Sequence, residues 1–169
     1  LASAYRFLGK DINIVLELHE QSLAIARAIA NQGEEANNLS DLGIIYVDQG
    51  KKHLAITLYE QALAIFRELG DREGEGKVLG NLGVAYSNLG DIRHSILLYE
   101  QSQKIASEAG NQKEETDNLN DLGNAYAKLG DLQQAIPLYH QYLARVRELG
   151  DREGEGLALL NLGEAYTRQ

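Results

Sequence analysis

Tyrosines that recur every 40 residues constrain the fold of this chain more than any other feature of its sequence. Each of them closes the same short motif, Leu-Gly-x-x-Tyr, and the copies end at Tyr46, Tyr86, Tyr126 and Tyr166. A fixed period of this length is typical of repeat proteins, in which stacked copies of one small unit bury the apolar face that none of them buries alone. The sequence therefore predicts a single array of similar units.

Each unit holds two helical segments separated by a glycine. Glycine adopts the left-handed conformation that ends a helix, and an Asp or Asn directly after it caps the next helix. Abundant Ala, Leu, Glu and Gln, with 1 Pro in the whole chain, favour helices over strands. We therefore predict an all-α fold of antiparallel helix pairs. The predicted helix-ending glycines are Gly50, Gly70, Gly90, Gly110, Gly130 and Gly150, and the predicted caps are Asp71, Asp91, Asn111, Asp131 and Asp151.

Both ends of the chain fall inside units, so we expect it to be a fragment of a longer protein. A second pattern has a period of two units, because residues 70–76 return as residues 150–156, which suggests duplication of a pair of units. The turn around Gly9 is longer than the later turns and is predicted to be irregular. The array divides into a partial unit over 1–32, units over 33–70, 71–110 and 111–150, and a partial unit over 151–169.

The charge of the chain restricts its partners. A formal net charge of -9 and a pI near 4.9 argue against a nucleic-acid ligand, which requires a basic surface. We expect a basic or amphipathic protein or peptide as partner, and no membrane contact, since no apolar run approaches the roughly 20 residues that span a bilayer. The chain has 0 Cys, which excludes disulfides and thiolate metal sites. The cytoplasm is the expected location.

No combination of residues indicates catalysis. His19, His53, His94 and His140 are scattered without the spacing or acidic companions of a metal site. No nucleophile beside a base and no cofactor fingerprint is present in the sequence. We therefore expect a protein that is not an enzyme and uses no cofactor or metal.

The motif Leu-Gly-x-x-Tyr, followed by Gly, Ala and Tyr in the second segment, resembles the tetratricopeptide repeat over essentially the whole chain. The unit exceeds the usual length of about 34 residues and is similar to the long repeats of kinesin light chains, Pins/LGN-type polarity adaptors and bacterial signalling proteins. This resemblance implies a right-handed α-solenoid that binds proteins, with the first helix of each unit lining a concave groove. It also implies a core of Leu82, Tyr86, Leu89, Ile96, Tyr99 and Ile105, with Gly83 allowing close helix approach.

Helical spacing then identifies the groove positions. Steps of four, three and four keep residues on one stripe of a helix, away from the core Leu and Tyr. The predicted peptide-binding groove contains Asn37, Asp41, Ile44, Asp48, Lys77, Asn81, Val84, Asn88, Asp117, Asp121, Asn124, Lys128, Leu157, Asn161, Glu164 and Arg168.

One position of every stripe is always Asp or Asn, although neither favours a helix interior. These residues are Asp41, Asn81, Asp121 and Asn161. One interpretation is a polar ladder that hydrogen-bonds the backbone of an extended peptide. The other is that the side chains bond to a neighbouring helix and stabilise the stack.

Three functions follow from these features. The first is a protein–protein interaction scaffold within a larger signalling or adaptor protein. The second is a self-associating array, because terminal repeats without polar capping helices expose surfaces on which another repeat stacks. The third is regulation of an attached ATPase or transcription regulator.

Overall fold

The computed structural model describes residues 12–169, and every regular element in this range is an α-helix. The predicted all-α fold is confirmed. Residues 1–11, which include the predicted irregular turn at Gly9 and the start of the first partial unit, lie outside the described range. The helices are α1 (Ile12–Ala28), α2 (Gln32–Asp48), α3 (Lys52–Leu69), α4 (Arg72–Leu89), α5 (Ile92–Ala109), α6 (Gln112–Leu129), α7 (Leu132–Glu148) and α8 (Arg152–Arg168). We call the even-numbered ones first helices and the odd-numbered ones second helices.

Left-handed residues separate the helices, as the glycine spacing predicts. All six predicted glycines have positive φ, from 65° to 99°. The turn between α1 and α2 differs, because Ala30 stands where the later units have glycine and adopts a φ of 55°. An L-residue with a Cβ atom is strained in this conformation, so this turn is less favourable than its counterparts.

Side-chain caps begin most of the helices. The Asp91 carboxylate accepts a hydrogen bond from the His94 amide at 3.1 Å, and Asp131 accepts one from Gln134 at 3.2 Å. Asn31 accepts one from Glu34 at 3.2 Å. The predicted caps before α4, α6 and α8, namely Asp71, Asn111 and Asp151, make the same bond at 2.9, 3.2 and 2.9 Å. All predicted caps are confirmed.

The described residues group into two compact parts, each larger than one repeat unit. In the part that ends at Ala85, α2 packs against α1 and α3. A Cβ atom at Gly43 would lie 2.5 Å from the ring of Tyr59, so only glycine lets this ring lie against the α2 backbone. The buried residues of α2 and α3 include Ala36, Leu39, Leu42, Ile45, Ala55, Tyr59, Ala62 and Phe66.

In the part that begins at Tyr86, α5, α6, α7 and α8 pack in order, and α6 also contacts α8. The relation between Gly43 and Tyr59 returns here, since a Cβ atom at Gly123 would lie 2.6 Å from the ring of Tyr139. The core of this part includes Leu119, Tyr139, Tyr142, Leu143, Val146, Ala158 and Leu162.

The predicted core is correct except at the end of α4. Leu82, Ile96, Tyr99 and Ile105 are buried, and Tyr86 is half-buried. Leu89 is 39% exposed, so its assignment to the core was wrong. As the last residue of its helix, Leu89 lies at the edge of the packed region.

Arginine–glutamate pairs fasten three of the turns that lead from a second helix to the next first helix. Each arginine lies in the last turn of one helix, and its Nε donates to a glutamate eight residues later at 2.7 or 2.8 Å. Burial alone would raise the pKa of Glu75, but hydrogen bonds from Arg67 and Arg72 outweigh it and hold the pKa below its usual range. The pairs are Arg27–Glu35, Arg67–Glu75 and Arg147–Glu155.

Candidate functional site

The predicted groove residues lie on the first helices, and each is half-buried or exposed rather than part of the core. We call this set the first-helix face. Its apolar members are Ile44 and Val84, which are half-buried, and Leu157, which is 41% exposed. The polar members surround them along the same stripes, so each helix offers apolar and polar contacts together.

Carboxylates dominate the first-helix face of α2. Burial raises the pKa of Asp41, an effect that His19, whose Nδ1 is 3.9 Å from the carboxylate, partly offsets and that Glu34 reinforces. The pKa of Tyr59 is raised by burial and further by the charges of Asp48 and Asp41. The negative charges of Asp48 and Asp41 therefore act on Tyr59, whose ring packs against α2.

On α4, Asn81 is half-buried, and its side chain makes no hydrogen bond within residues 12–169. One turn earlier, the Lys77 ammonium donates to Glu73 at 2.5 Å. The ladder position on this helix thus has its donors and acceptor available, and the neighbouring positive charge is partly neutralised by an exposed carboxylate.

The most perturbed group on the face is Asp121 of α6. Burial, together with the charge of Asp117, raises the pKa of Asp121 to about 6, while Lys128 lowers it and Glu114 raises it. Asp121 in turn contributes, after burial, to the raised pKa of Tyr99. A half-buried carboxylate with mostly negative neighbours favours the approach of a cation or a hydrogen-bond donor.

Asn161 of α8 is tied to the neighbouring first helix. Its Nδ2 donates to Asn120 Oδ1 at 3.1 Å and to Asn124 Oδ1 at 3.3 Å. The Tyr139 hydroxyl also donates to Asn124 Oδ1, at 2.9 Å. At this position the helix-linking interpretation of the ladder describes the contacts. Sequence reasoning missed Asn120, because its repeat position holds Ser, Gly or Leu in the other units.

Two cations of the face are also held by neighbouring helices. The Lys128 ammonium donates to Ser87 Oγ at 2.8 Å, and the Arg168 guanidinium donates to the Ala127 carbonyl at 3.1 Å. Lys128 and Arg168 are exposed nonetheless, and the face carries five carboxylates, Asp41, Asp48, Asp117, Asp121 and Glu164, against three cations, Lys77, Lys128 and Arg168. The accessible charge on the first-helix face is therefore mainly negative.

Comparison with protein families gives the class of the chain. The model of the tetratricopeptide repeat matches residues 1–68, 36–108 and 115–169. The chain belongs to the tetratricopeptide repeat family. No curated protein matches it.

Solved structures of tetratricopeptide proteins share its fold. A candidate kinesin light chain from Podosopora anserina, with nearly identical TPR-like repeats, is 22% identical, with a TM-score of 0.79 over 99% of this chain and 82% of that one. BtubC from P. vanneervenii is 21% identical, with a TM-score of 0.79 over 94% of this chain and 66% of that one. The signal-transduction ATPase with a tetratricopeptide repeat sensor from Pyrococcus horikoshii is 19% identical, with a TM-score of 0.81 over 97% of this chain and 25% of that one. At these identities the similarity shows the fold alone.

Among residues 12–169, no group of three or more His, Asp or Glu side chains is arranged to hold a metal ion. Within the same range, no helix has the length and apolar character needed to cross a membrane.

Proposed function

We propose that this tetratricopeptide chain is a protein–protein interaction scaffold of a larger cytoplasmic signalling or adaptor protein, and that it binds a basic peptide or protein segment on its first-helix face. The observation that carries the proposal is that the two ladder carboxylates have raised pKa values and accept no hydrogen bond from the described residues. Asp41 and Asp121 occupy the same repeat position two units apart, and neither accepts a hydrogen bond within residues 12–169. Both have a raised pKa caused first by burial, although only Asp121 is half-buried and the Asp41 side chain is 53% exposed.

A carboxylate kept partly out of water gains more from a charge-assisted hydrogen bond than an exposed one does. Lysine or arginine side chains and backbone N–H groups of an extended peptide supply such bonds. Half-buried Ile44 offers apolar contact three residues after Asp41 on α2, and half-buried Val84 offers it three residues after Asn81 on α4. Asn81, whose amide is available, would bond the peptide backbone, whereas Asn161 would keep its place between the first helices.

Selection from a random peptide library, followed by titration, tests this function. We expect the selected peptides to carry net positive charge and to bind about tenfold more weakly to the Asp41→Asn and Asp121→Asn variants, because each loses a charged acceptor. The control is Glu60→Gln on α3, which removes an equal charge from an exposed second-helix position. Circular dichroism confirms that each variant is folded. Equal weakening by all three variants would reduce the effect to net charge and contradict a specific face.

A further inference from the structure

The second helices carry the same residue at three repeat positions, and each position has one exception. A leucine becomes Gln103, an isoleucine becomes Arg145, and the arginine that pairs with a glutamate across the turn becomes Ser107. The residues that keep the pattern are Leu23, Leu63 and Leu143, then Ile25, Ile65 and Ile105, and finally Arg27, Arg67 and Arg147.

Two of these exceptions line one cavity in the compact part of the chain that begins at Tyr86. Gln103 of α5 and Arg145 of α7 line a cavity of about 270 Å³. Ser107 lies one turn after Gln103 on the same helix. It is eight residues before Glu115, which lines the cavity. The remaining lining residues are Glu115, Leu119, Gln141, Ala144 and Glu148.

Glu115 is the glutamate that Ser107 leaves without its arginine. Its side chain is 16% exposed, within the range of 10% to 21% found for the three paired glutamates. Within residues 12–169, the one basic group within 4.0 Å of its carboxylate is Arg145, at 3.9 Å. The paired glutamates instead receive an arginine Nε at 2.7 or 2.8 Å. Glu115 is therefore as enclosed as its counterparts but lacks their short bond.

Gln103 adds an unsatisfied acceptor to the same cavity. Its Oε1 is buried and has no hydrogen-bond partner in the part of the chain that the structure describes. A buried acceptor without a donor is unfavourable, and the leucine of the other repeats would avoid it. A residue that breaks the local pattern at a cost to stability is expected where a site has been built.

The chemistry of the lining specifies the ligand. Gln103 Oε1 and the carboxylates of Glu115 and Glu148 are acceptors, Arg145 donates to Glu148 at 3.3 Å and supplies one positive charge, and the lining carries a formal charge of -1. Leu119 and Ala144 offer an apolar wall to an aliphatic stem. A monocation with several N–H donors on such a stem neutralises this charge and donates to Gln103 Oε1 and Glu115, the two acceptors that lack a short hydrogen bond.

We propose that this cavity binds the guanidinium of an arginine side chain from a partner protein, which takes the place of the arginine missing at Ser107. Guanidinium is favoured over ammonium because the equivalent glutamate of every other described unit is arranged to accept an arginine Nε–H. The site is lined by residues of α5, α6 and α7 and shares no residue with the first-helix face, so either proposal can fail without the other.

Binding of a small probe to the whole chain tests the site. The probe is N-acetyl-arginine-N-methylamide, followed by shifts of the Gln103 side-chain amide and the Arg145 Nε–H in NMR spectra. We expect saturable shifts with millimolar affinity, weaker binding of the lysine analogue, and no saturation with the neutral citrulline analogue. Citrulline binding as tightly as arginine would overturn the proposal, as would binding confined to free L-arginine, which would indicate a small-molecule site.

Two variants that restore the repeat pattern separate binding from folding. Ser107→Arg supplies the missing guanidinium within the chain, and Gln103→Leu removes the unsatisfied acceptor. Both should preserve or raise stability, so weaker probe binding, by about tenfold or more, would not reflect unfolding. Gln101→Leu, at an exposed position of α5, is the matched control and should leave affinity unchanged. Wild-type affinity in Ser107→Arg would overturn the proposal.

Discussion

Replacing Gly123 with alanine should displace the Tyr139 ring, and the same replacement at Gly163 should be harmless. The added Cβ atom at Gly123 would lie 2.6 and 2.8 Å from two carbons of a ring that is 3% exposed. At Gly163, the same position of the last repeat, nothing lies within 4 Å. One chemical change is thus tested in two copies of a motif that differ in what covers them.

The magnitudes follow from three effects. Forcing an extra carbon into a packed core costs about 1–3 kcal/mol. Moving the ring also weakens the 2.9 Å hydrogen bond from the Tyr139 hydroxyl to Asn124, at about 1 kcal/mol. Against these, alanine is better than glycine in a helix interior by about 1 kcal/mol. The free energy of unfolding should therefore fall by about 1–3 kcal/mol in Gly123→Ala and rise by about 1 kcal/mol in Gly163→Ala.

Urea denaturation followed by circular dichroism measures both variants, with the two unfolding midpoints compared at constant slope. A third variant, Tyr139→Ala, supplies the coupling: in its background, Gly123→Ala should no longer destabilise the protein. Equal shifts of the same sign at Gly123 and Gly163 would refute the reasoning, because they would show that the ring does not determine the cost.

Three other substitutions have predictable effects on stability. Ala30→Gly should raise the thermal midpoint, since relieving the left-handed alanine is worth about 1 kcal/mol. The pKa of Asp121 rises from 3.8 to about 6 on folding, so stability should decline as the pH increases from about 4 to about 6, by up to about 3 kcal/mol. Asp121→Asn should remove that decline in urea titrations at several pH values. Ser102→Ala should lower the free energy of unfolding by about 1–3 kcal/mol in urea denaturation, because Asn118 loses a buried 2.9 Å hydrogen bond. Adding Asn118→Val should recover most of this loss, since the preceding repeat carries Ala and Val at these two positions.

Each of these has a contrary result. An unchanged midpoint for Ala30→Gly would mean that the turn is not strained. A pH profile of Asp121→Asn that matches the wild type would assign the decline to other groups. If adding Asn118→Val to Ser102→Ala lowered the free energy of unfolding further, Asn118 would stabilise the protein by more than its hydrogen bond to Ser102.

The helices could be predicted from the sequence because their ends are encoded locally and repeat. Each glycine, together with the Asp or Asn after it, specifies a turn whatever the rest of the chain does. The same rule missed Ala30, since a search for glycine passes over an alanine in the left-handed conformation. The core implied by the family resemblance misplaced Leu89, because a repeat pattern does not reveal where a neighbouring helix stops covering its partner.

The candidate sites were less predictable, since they depend on contacts between helices. The stripe on each first helix follows from spacing, but the partners of Asn161 lie 37 and 41 residues earlier and are set by the packing of α6 against α8. The cavity lined by Gln103, Glu115 and Arg145 left a trace in the sequence, where Gln103, Ser107 and Arg145 depart from their repeats. Only the structure brings Gln103 and Arg145 together around Glu115.

Binding on the first-helix face is the central claim, and site-specific photo-crosslinking tests it most directly. A photoreactive residue is placed at Asn37, which is exposed on α2, and separately at Glu60, which is exposed on α3, and each protein is irradiated with a peptide selected on the wild type. We predict a crosslink from position 37 and none from position 60. A crosslink from position 60 alone, or equal yields from both, would contradict the assignment of partner binding to the first helices.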